Sequence, residues 1–104
     1  MKVMQRTSMK MVPGKMTEAM GLIQEQQGVM TRWGMPPVRY YRPFAGGGDA
    51  VNTIFLQFEW DSIAAMEAFY EKSMADPEML AVLMKWDGVL ESHTHEIYMP
   101  MPML

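Results

Sequence analysis

Residues 51–68 read VNTIFLQFEW followed by DSIAAMEA, and this junction between two elements decides the fold. The first ten residues are rich in aromatic and β-branched side chains, which favour a pleated, half-buried strand. Asp61 follows at the point where a helix would begin, because a carboxylate there can accept hydrogen bonds from the unpaired N–H groups of the first turn. We therefore predict a strand over Val51–Trp60 and a helix capped by Asp61 that runs to about Ser73.

The sequence on either side of this junction supplies the other elements. Alternating side chains indicate strands, spacings of three and four indicate helices, and the proline- and glycine-containing segments mark the turns between them. Asp76 followed by Pro77 is typical of a helix cap and a first helical position. The other predicted strands are Met1–Val12, Val38–Phe44 and Val89–Met99. The other predicted helices are Met16–Arg32 and a further piece from Asp76–Pro77 to Gly88. In that last piece we expect Leu80, Leu83, Met84 and Trp86 to point inward.

The resulting order, β-α-β-β-α-β, predicts a ferredoxin-like α+β fold. Right-handed crossovers fold this order into a four-stranded antiparallel sheet with its helices on one face. The opposite face would carry either Thr53 and Phe55 or Ile54 and Leu56, which is too apolar for water. A second sheet packed face to face would cover it, so we predict a homodimer.

The methionine content fits the same prediction. The chain has 15 methionines, and seven of them lie in the terminal stretches Met1–Met11 and Met99–Met103. Methionine can simply replace leucine in a core, but terminal stretches this apolar need a surface to lie against. A partner subunit is the simplest such surface.

Composition limits the classes of function. The 104 residues are 49% apolar and 20% charged, which predicts one globular domain over residues 1–104. The net charge of −3 argues against nucleic acid as a partner, because phosphate binding needs a basic stripe. Cysteine is absent, so disulfides and thiolate metal sites are excluded. No signal segment or apolar run of membrane-spanning length occurs, so we expect no membrane association and a cytoplasmic location.

The two histidines are the side chains best suited to chemistry. His93 and His95 stand two residues apart on the predicted last strand, so they share a face. No third histidine and no cysteine is present to complete a metal site, and we predict no metal and no cofactor. Either their ring nitrogens are hydrogen-bonded in the interior of the protein, or the two side chains contact a ligand and exchange protons with it. For the second role we favour His95, which is nearer the middle of the strand.

Charged and aromatic residues on the predicted elements extend the candidate site. Arginine on a strand is either paired with a carboxylate, here Glu59, Glu91 or Glu96, or it clamps a carboxylate or enolate ligand. Inward aromatic side chains either fill the core or line a flat pocket. The candidate catalytic residues are His95 and Tyr40, and the candidate ligand-binding residues are His93, Arg6, Arg42, Trp60, Trp86 and Phe69.

Three stretches of the chain together resemble the dimeric α+β barrel superfamily. Met11–Lys15 is similar to the family's strand–turn–helix entry, Phe55–Ala68 to its strand-to-helix junction, and His93–Tyr98 to the closing strand of the NIPSNAP-like branch. The resemblance implies a barrel formed by two subunits, with substrates or haem between sheet and helices. Members that degrade haem or form quinols rely on an asparagine with a tryptophan and a histidine. Here the only asparagine is Asn52, so a monooxygenase assignment rests on the fold alone.

These observations lead to one principal interpretation and two alternatives. The principal one is a NIPSNAP-like dimeric barrel of unassigned activity with a small apolar or aromatic ligand pocket between sheet and helices. The first alternative is a cofactor-independent monooxygenase, an isomerase or a cyclase that acts on a phenolic or polycyclic substrate. The second is a non-enzymatic assembly module. A pocket that contains His95, Arg6 and Tyr40 together would favour the enzyme, and the absence of a pocket would favour the assembly module.

Overall fold

A computed structural model describes residues 1–102, so Met103 and Leu104, at the end of the predicted domain and of the methionine-rich stretch, lie outside it. The elements are β1 (Val3–Met11), α1 (Met16–Arg32), β2 (Arg39–Tyr41), a 3₁₀ turn (Gly48–Asn52), β3 (Thr53–Trp60), α2 (Ile63–Met74), α3 (Pro77–Met84) and β4 (Leu90–Tyr98). The four strands form one sheet in the order β2-β3-β1-β4, and every neighbouring pair is antiparallel. This arrangement confirms the predicted ferredoxin-like α+β class.

Strand β1 has two distinct faces, as its alternating sequence predicts. Every odd-numbered residue from Val3 to Met11 is buried, and the even-numbered residues between them are half-buried. The buried face carries the helices, since Val3 packs in a cluster with Phe69 of α2 and Met11 packs with Ile23 of α1. Within residues 1–102 no helix packs against the other face of the sheet.

Two apolar clusters hold the helices on the sheet. One joins β1 and β3 to α1 and to the segment after α3 through Met9, Ile54, Trp86 and Val89. The other is aromatic and joins β3 to α2: the ring of Trp60 lies 5.6 Å from that of Phe58 and 5.1 Å from that of Phe69, centroid to centroid. Such tilted and edge-on pairs contribute roughly 0.5–1.5 kcal/mol each beyond their buried area.

Strand β2 and the start of α2 differ from the prediction. β2 spans only Arg39–Tyr41, because Pro43 lacks the N–H needed to continue the ladder and the chain then enters the 3₁₀ turn. Helix α2 is capped by Ser62 rather than by Asp61: Ser62 has extended backbone angles, and its Oγ accepts a hydrogen bond from the Ala65 N–H at 3.0 Å. Both residue types can cap a helix, so the path of the chain leaving β3 decides between adjacent candidates.

The inward stripe of α3 also differs from the prediction. Asp76 caps the helix and Pro77 begins it, as expected. The buried side chains are Met79 and Val82, followed by Trp86, whereas Leu80 and Met84 are exposed. The sequence Met79–Met84 is apolar on every side, so its periodicity cannot select a face. Contact with Val29 of α1 makes the selection.

Two serines of α2 provide a matched test of the helix. Replacing Ser62 with alanine should lower the free energy of unfolding by about 1 kcal/mol, because the cap hydrogen bond to Ala65 is lost. Ser73→Ala should leave stability unchanged or raise it, because the fully buried Ser73 hydroxyl finds no hydrogen-bond partner within residues 1–102. Urea denaturation monitored by circular dichroism measures both. Equal losses in the two variants would contradict this assignment.

Candidate functional site

Two polar side chains interrupt the apolar, helix-facing side of β1. Gln5 is 3% exposed and Thr7 is 6% exposed, between Val3 on one side and Met9 on the other. Buried polar groups cost free energy unless they are hydrogen-bonded, so their partners define what this region does. Those partners come from three other elements: Trp60 of β3, Tyr70 of α2 and His95 of β4.

The indole of Trp60 fixes the orientation of the Gln5 amide. Trp60 Nε1 donates to Gln5 Oε1 at 3.0 Å, and an indole nitrogen can only donate, so the oxygen of the amide must face Trp60. The amide nitrogen of Gln5 therefore points the other way, toward Thr7 and His95. The Tyr70 hydroxyl lies 2.8 Å from Gln5 Nε2 and 3.0 Å from Gln5 Oε1, which holds both ends of the amide in place.

This orientation favours one position of the proton on His95. Gln5 Nε2 donates to Thr7 Oγ1 at 3.3 Å, so the Thr7 hydroxyl is already an acceptor on that side. Its own hydrogen is then free to point at His95 Nδ1, 2.9 Å away. An Nδ1 atom that accepts leaves the ring proton on Nε2. We assign His95 from this network as a neutral imidazole that carries its N–H on Nε2.

Strand register brings His95 to this position. The antiparallel pairing of β1 with β4 places His95 opposite Thr7 and His93 opposite Met9. Both histidine rings therefore lie on the helix-facing side, where they meet edge to face with centroids 5.0 Å apart. Within the described chain β4 is an edge strand, and every residue from Glu91 to Tyr98 is exposed. The buried network thus ends at an imidazole that a ligand can reach.

Burial sets the charge state of the two titratable groups in the network. It lowers the pKa of His95 below its usual value, and the positive charge of a protonated His93 lowers this pKa further. Burial also raises the pKa of Tyr70, which the hydrogen bond from Gln5 only partly opposes. At neutral pH the site is therefore an uncharged set of hydrogen-bonding groups.

Four of the predicted site residues lie around this network. His93 and His95 are adjacent, Trp60 bonds to Gln5, and Phe69 packs on the Trp60 ring. Gln5 and Thr7 are the polar residues that the first strand offers in place of the family's asparagine, but neither they nor Tyr70 were among the candidate site residues. The signal for the first two was present, since both stand in the middle of a face of β1 that is otherwise apolar.

The other four predicted residues lie elsewhere. Arg6 is on the opposite face of the sheet, with its guanidinium 4.7 Å from the centre of the Phe55 ring. Tyr40 is on β2, at the far edge of the sheet, and donates to Gln27. Trp86 belongs to the α1 side of the core, where its indole donates to Gln26, and Arg42 is exposed beyond β2. The structure does not bring His95, Arg6 and Tyr40 into one pocket.

The expected ion pairs of the strand arginines are also not formed. Among residues 1–102, Arg6, Arg39 and Arg42 make no salt bridge with a carboxylate, although Arg6 stands opposite Glu96 in the register. Arg6 instead lies over the Phe55 ring, an interaction worth about 0.5–1 kcal/mol at an exposed site.

Two spaces in the described chain have different sizes and positions. The space between the sheet and α1, lined by Tyr40, Met30 and Trp86, measures about 30 Å³, which is too small for an aromatic ligand. A cavity of about 890 Å³ lies beside the outer edge of β3 and is lined partly by Trp60 and Phe69. Within residues 1–102 no three histidine, aspartate or glutamate side chains meet in a way that could hold a metal ion. None of the helices described has the length and apolar character needed to cross a membrane.

Comparison with solved structures places this geometry among known proteins. A NIPSNAP domain protein from Burkholderia xenovorans superposes with a TM-score of 0.79 at 23% identity, over 97% of this chain and 95% of that one. A NIPSNAP family protein from Agrobacterium tumefaciens superposes with a TM-score of 0.81 at 17% identity, over 96% and 86%. The chain has the fold of the NIPSNAP proteins. The resemblance inferred from the sequence is thereby confirmed at the level of fold.

The NIPSNAP fold is shared with an oxygenase. A variant of SnoaB, a cofactor-independent oxygenase from Streptomyces nogalater, superposes with a TM-score of 0.69 at 12% identity, over 99% of this chain and 96% of that one. No protein-family model matches the sequence, and no curated protein matches it at a significant level. Identities this low establish the architecture and leave the activity to be argued from the site.

The lowered pKa of His95 predicts a pH dependence of stability. The unfolded chain binds a proton near the usual histidine pKa of 6.5, whereas the folded chain resists it, so the free energy of unfolding should fall as pH drops from 6.5 toward 5. His95→Gln should flatten this dependence, whereas His93→Gln should keep most of it, because burial is the larger cause of the shift. Urea denaturation at several pH values measures the slope. A slope that survives in His95→Gln would contradict the assignment.

Proposed function

We propose that the chain binds a small molecule through a hydrogen bond from His95 Nε2 to an oxygen atom of that molecule. The observation that carries the proposal is the continuous chain of hydrogen bonds from Trp60 through Gln5 and Thr7 to His95. It is anchored in the core and ends at an accessible ring. Apolar side chains would fill the same positions of a purely structural sheet without the cost of desolvating an amide and two hydroxyls.

The chemistry of the site indicates the class of ligand. The ring of His95 presents an N–H outward, and no carboxylate takes part in the network, so the site offers donors and no fixed charge. The oxygen atom of a phenol, enol or carbonyl group accepts a hydrogen bond in the plane of that group, so it suits this donor. The neighbouring ring of His93 and the exposed side chain of Ile97 would flank such a ligand on the same face. A planar, oxygen-bearing ligand therefore fits best.

Stabilisation of a developing enolate is a second candidate function, favoured by the environment of His95. A neutral imidazole held by a hydrogen bond at Nδ1 can donate a hydrogen bond from Nε2 to a developing enolate oxygen and stabilise the charge there while it keeps its proton. Thr7, Gln5 and Tyr70 would keep the ring oriented as the charge develops. SnoaB acts as an oxygenase without a cofactor on the same fold. An isomerase, a cyclase or a cofactor-independent oxygenase is the enzyme class proposed, with a phenolic or polycyclic substrate.

A homodimer is the proposed assembly, and the dimensions of the chain support it. The described fold is a slab of 41 × 40 × 18 Å with a radius of gyration of 14.7 Å. A compact domain of this length would have a radius of gyration of about 13 Å. The chain exposes 7059 Å², against roughly 6,000 Å² for a monomeric protein of its mass. The excess of about 1,000 Å² is similar to the area that one partner contributes to a standard protein interface.

The helix-free face of the sheet is the surface proposed for that dimer. The side chains of Phe55, Tyr41, Tyr98 and Met4 lie on it, as the register of β1 with its neighbours and of β2 with β3 places them. Arg6 lies among them, over the Phe55 ring. Of the two face assignments open to the sequence, Thr53 and Phe55 take the uncovered side, and Ile54 faces the core.

Binding of 2-naphthol, a planar phenol, tests the His95 site. His95→Ala should weaken binding by roughly 1–3 kcal/mol, because the acceptor oxygen loses its donor, and His95→Gln should recover part of the loss because an amide can still donate. His93→Gln is the matched control and should change affinity much less. Isothermal titration calorimetry measures all four proteins. Unchanged affinity in His95→Ala, with circular dichroism showing a native fold, would refute the proposed site.

The oligomeric state tests the proposed interface. Light scattering should give about twice the chain mass of 12.0 kDa at micromolar concentration. Phe55→Glu should shift the protein toward the monomer, because it places a charge at the centre of the face. Phe44→Glu is the control, since Phe44 is fully exposed in the loop after β2 and lies off the sheet. A wild-type protein that stays monomeric and folded would contradict the dimer.

A further inference from the structure

The cavity beside β3 lies at an incomplete part of the sheet. β2 pairs with β3 only from Phe55 to Gln57, so the backbone of Phe58–Trp60 has no neighbouring strand on that side within the described chain. The segment from Trp33 to Pro37 forms one wall, and α2 forms another through Ala68, Phe69 and Lys72. The volume of this open cleft, about 890 Å³, falls within the roughly 300–1,000 Å³ typical of sites for small molecules.

The exposed aromatic ring of this cavity is that of Trp33. The rings of Trp60 and Phe69, 5.1 Å apart, are only 3% and 5% exposed and back the cavity from the core. Trp33 is 41% exposed, and its Nε1 donates to Asp76 Oδ2 at 2.8 Å. Asp76 in turn caps α3, so the Trp33 ring is tied to a helix start. An exposed indole that is held in place, rather than free to turn, is suited to stack on a flat ligand.

Charged side chains in the lining lack ion-pair partners. Lys2, Arg39 and Lys72 contribute three positive charges, and Glu59 and Asp61 contribute two negative ones. Within residues 1–102 none of these five groups takes part in a salt bridge. The net charge of the lining is therefore positive. Arg39 stands opposite Gln57 in the register, so it lies at the rim of the cavity on the helix-free side of the sheet. Its planar donor group matches a carboxylate at two points.

We propose that this cavity is a second site, which binds an aromatic carboxylate. The ligand's ring stacks on the exposed indole of Trp33, and its carboxylate pairs with the guanidinium of Arg39, with Lys2 and Lys72 adding favourable charge. This site is separate from the His95 site. Trp60 touches both, because its ring lines the cavity while its Nε1 bonds to Gln5.

Paired probes test the charge requirement of the cavity. 2-Naphthoate and 2-naphthalenemethanol share the same ring system, and only the first carries a charge. Calorimetry on the full chain should show tighter binding of 2-naphthoate. Arg39→Gln should reduce 2-naphthoate affinity about ten-fold, because a charge-assisted hydrogen bond is lost, and leave 2-naphthalenemethanol unchanged. Arg42→Gln, three residues along the chain and outside the lining, should change neither.

Further variants separate this site from the proposed function. Trp33→Leu should weaken both probes, because it removes the stacking surface, and Lys72→Gln should weaken 2-naphthoate alone. The tighter binding of 2-naphthoate and its loss in Arg39→Gln should both persist in a His95→Gln background, where the His95 site is weakened, so this site can fail while the His95 proposal stands, and the reverse. Equal affinity for the two probes, or equal effects of Arg39→Gln and Arg42→Gln in proteins with native circular dichroism, would overturn the proposal.

Discussion

The hydrogen bond from Trp60 Nε1 to Gln5 Oε1 constrains the rest of the site, because the indole nitrogen has no alternative role as an acceptor. Trp60 itself cannot turn, since Phe58, Phe69 and Tyr70 surround its ring. Rigid packing in the core therefore fixes the orientation of the Gln5 amide. That orientation leads through the Thr7 hydroxyl to His95 and favours the tautomer with the proton on Nε2. Core packing and site chemistry are two consequences of the same cluster.

Much of the fold follows from local sequence patterns. The alternation in β1 correctly separates its odd-numbered from its even-numbered side chains, and Asp76–Pro77 correctly marks the start of α3, because each feature depends on residues that are near one another in the chain. The prediction was wrong where tertiary contacts choose between local equivalents. The apolar run of α3 can bury any side, and α1 selects Met79 and Val82. Asp61 and Ser62 can both cap α2, and the exit from β3 selects Ser62.

The site was harder to predict than the fold because strand register and helix packing assemble it. The histidine pair was identified from its spacing, yet its partners come from distant parts of the sequence: Thr7 is 88 residues from His95, and Tyr70 is 65 residues from Gln5. The arginines illustrate the opposite case. A charge on a strand suggested an ion pair, but Arg6 lies over Phe55 on the helix-free face, where the proposed partner subunit would cover it. The sequence pattern of a single chain does not distinguish an arginine in an ion pair from an arginine that lies over an aromatic ring on the helix-free face.

The central claim, that the Gln5 network holds His95 as a neutral imidazole with its proton on Nε2, has a direct test. Nitrogen-15 NMR of the histidine side chains at neutral pH distinguishes a protonated from an unprotonated ring nitrogen at each position. For His95 we expect an unprotonated Nδ1 and a protonated Nε2, and we expect Gln5→Leu to weaken this preference because Thr7 loses its donor. A wild-type spectrum with the proton on Nδ1, or with both nitrogens of His95 protonated, would contradict the account.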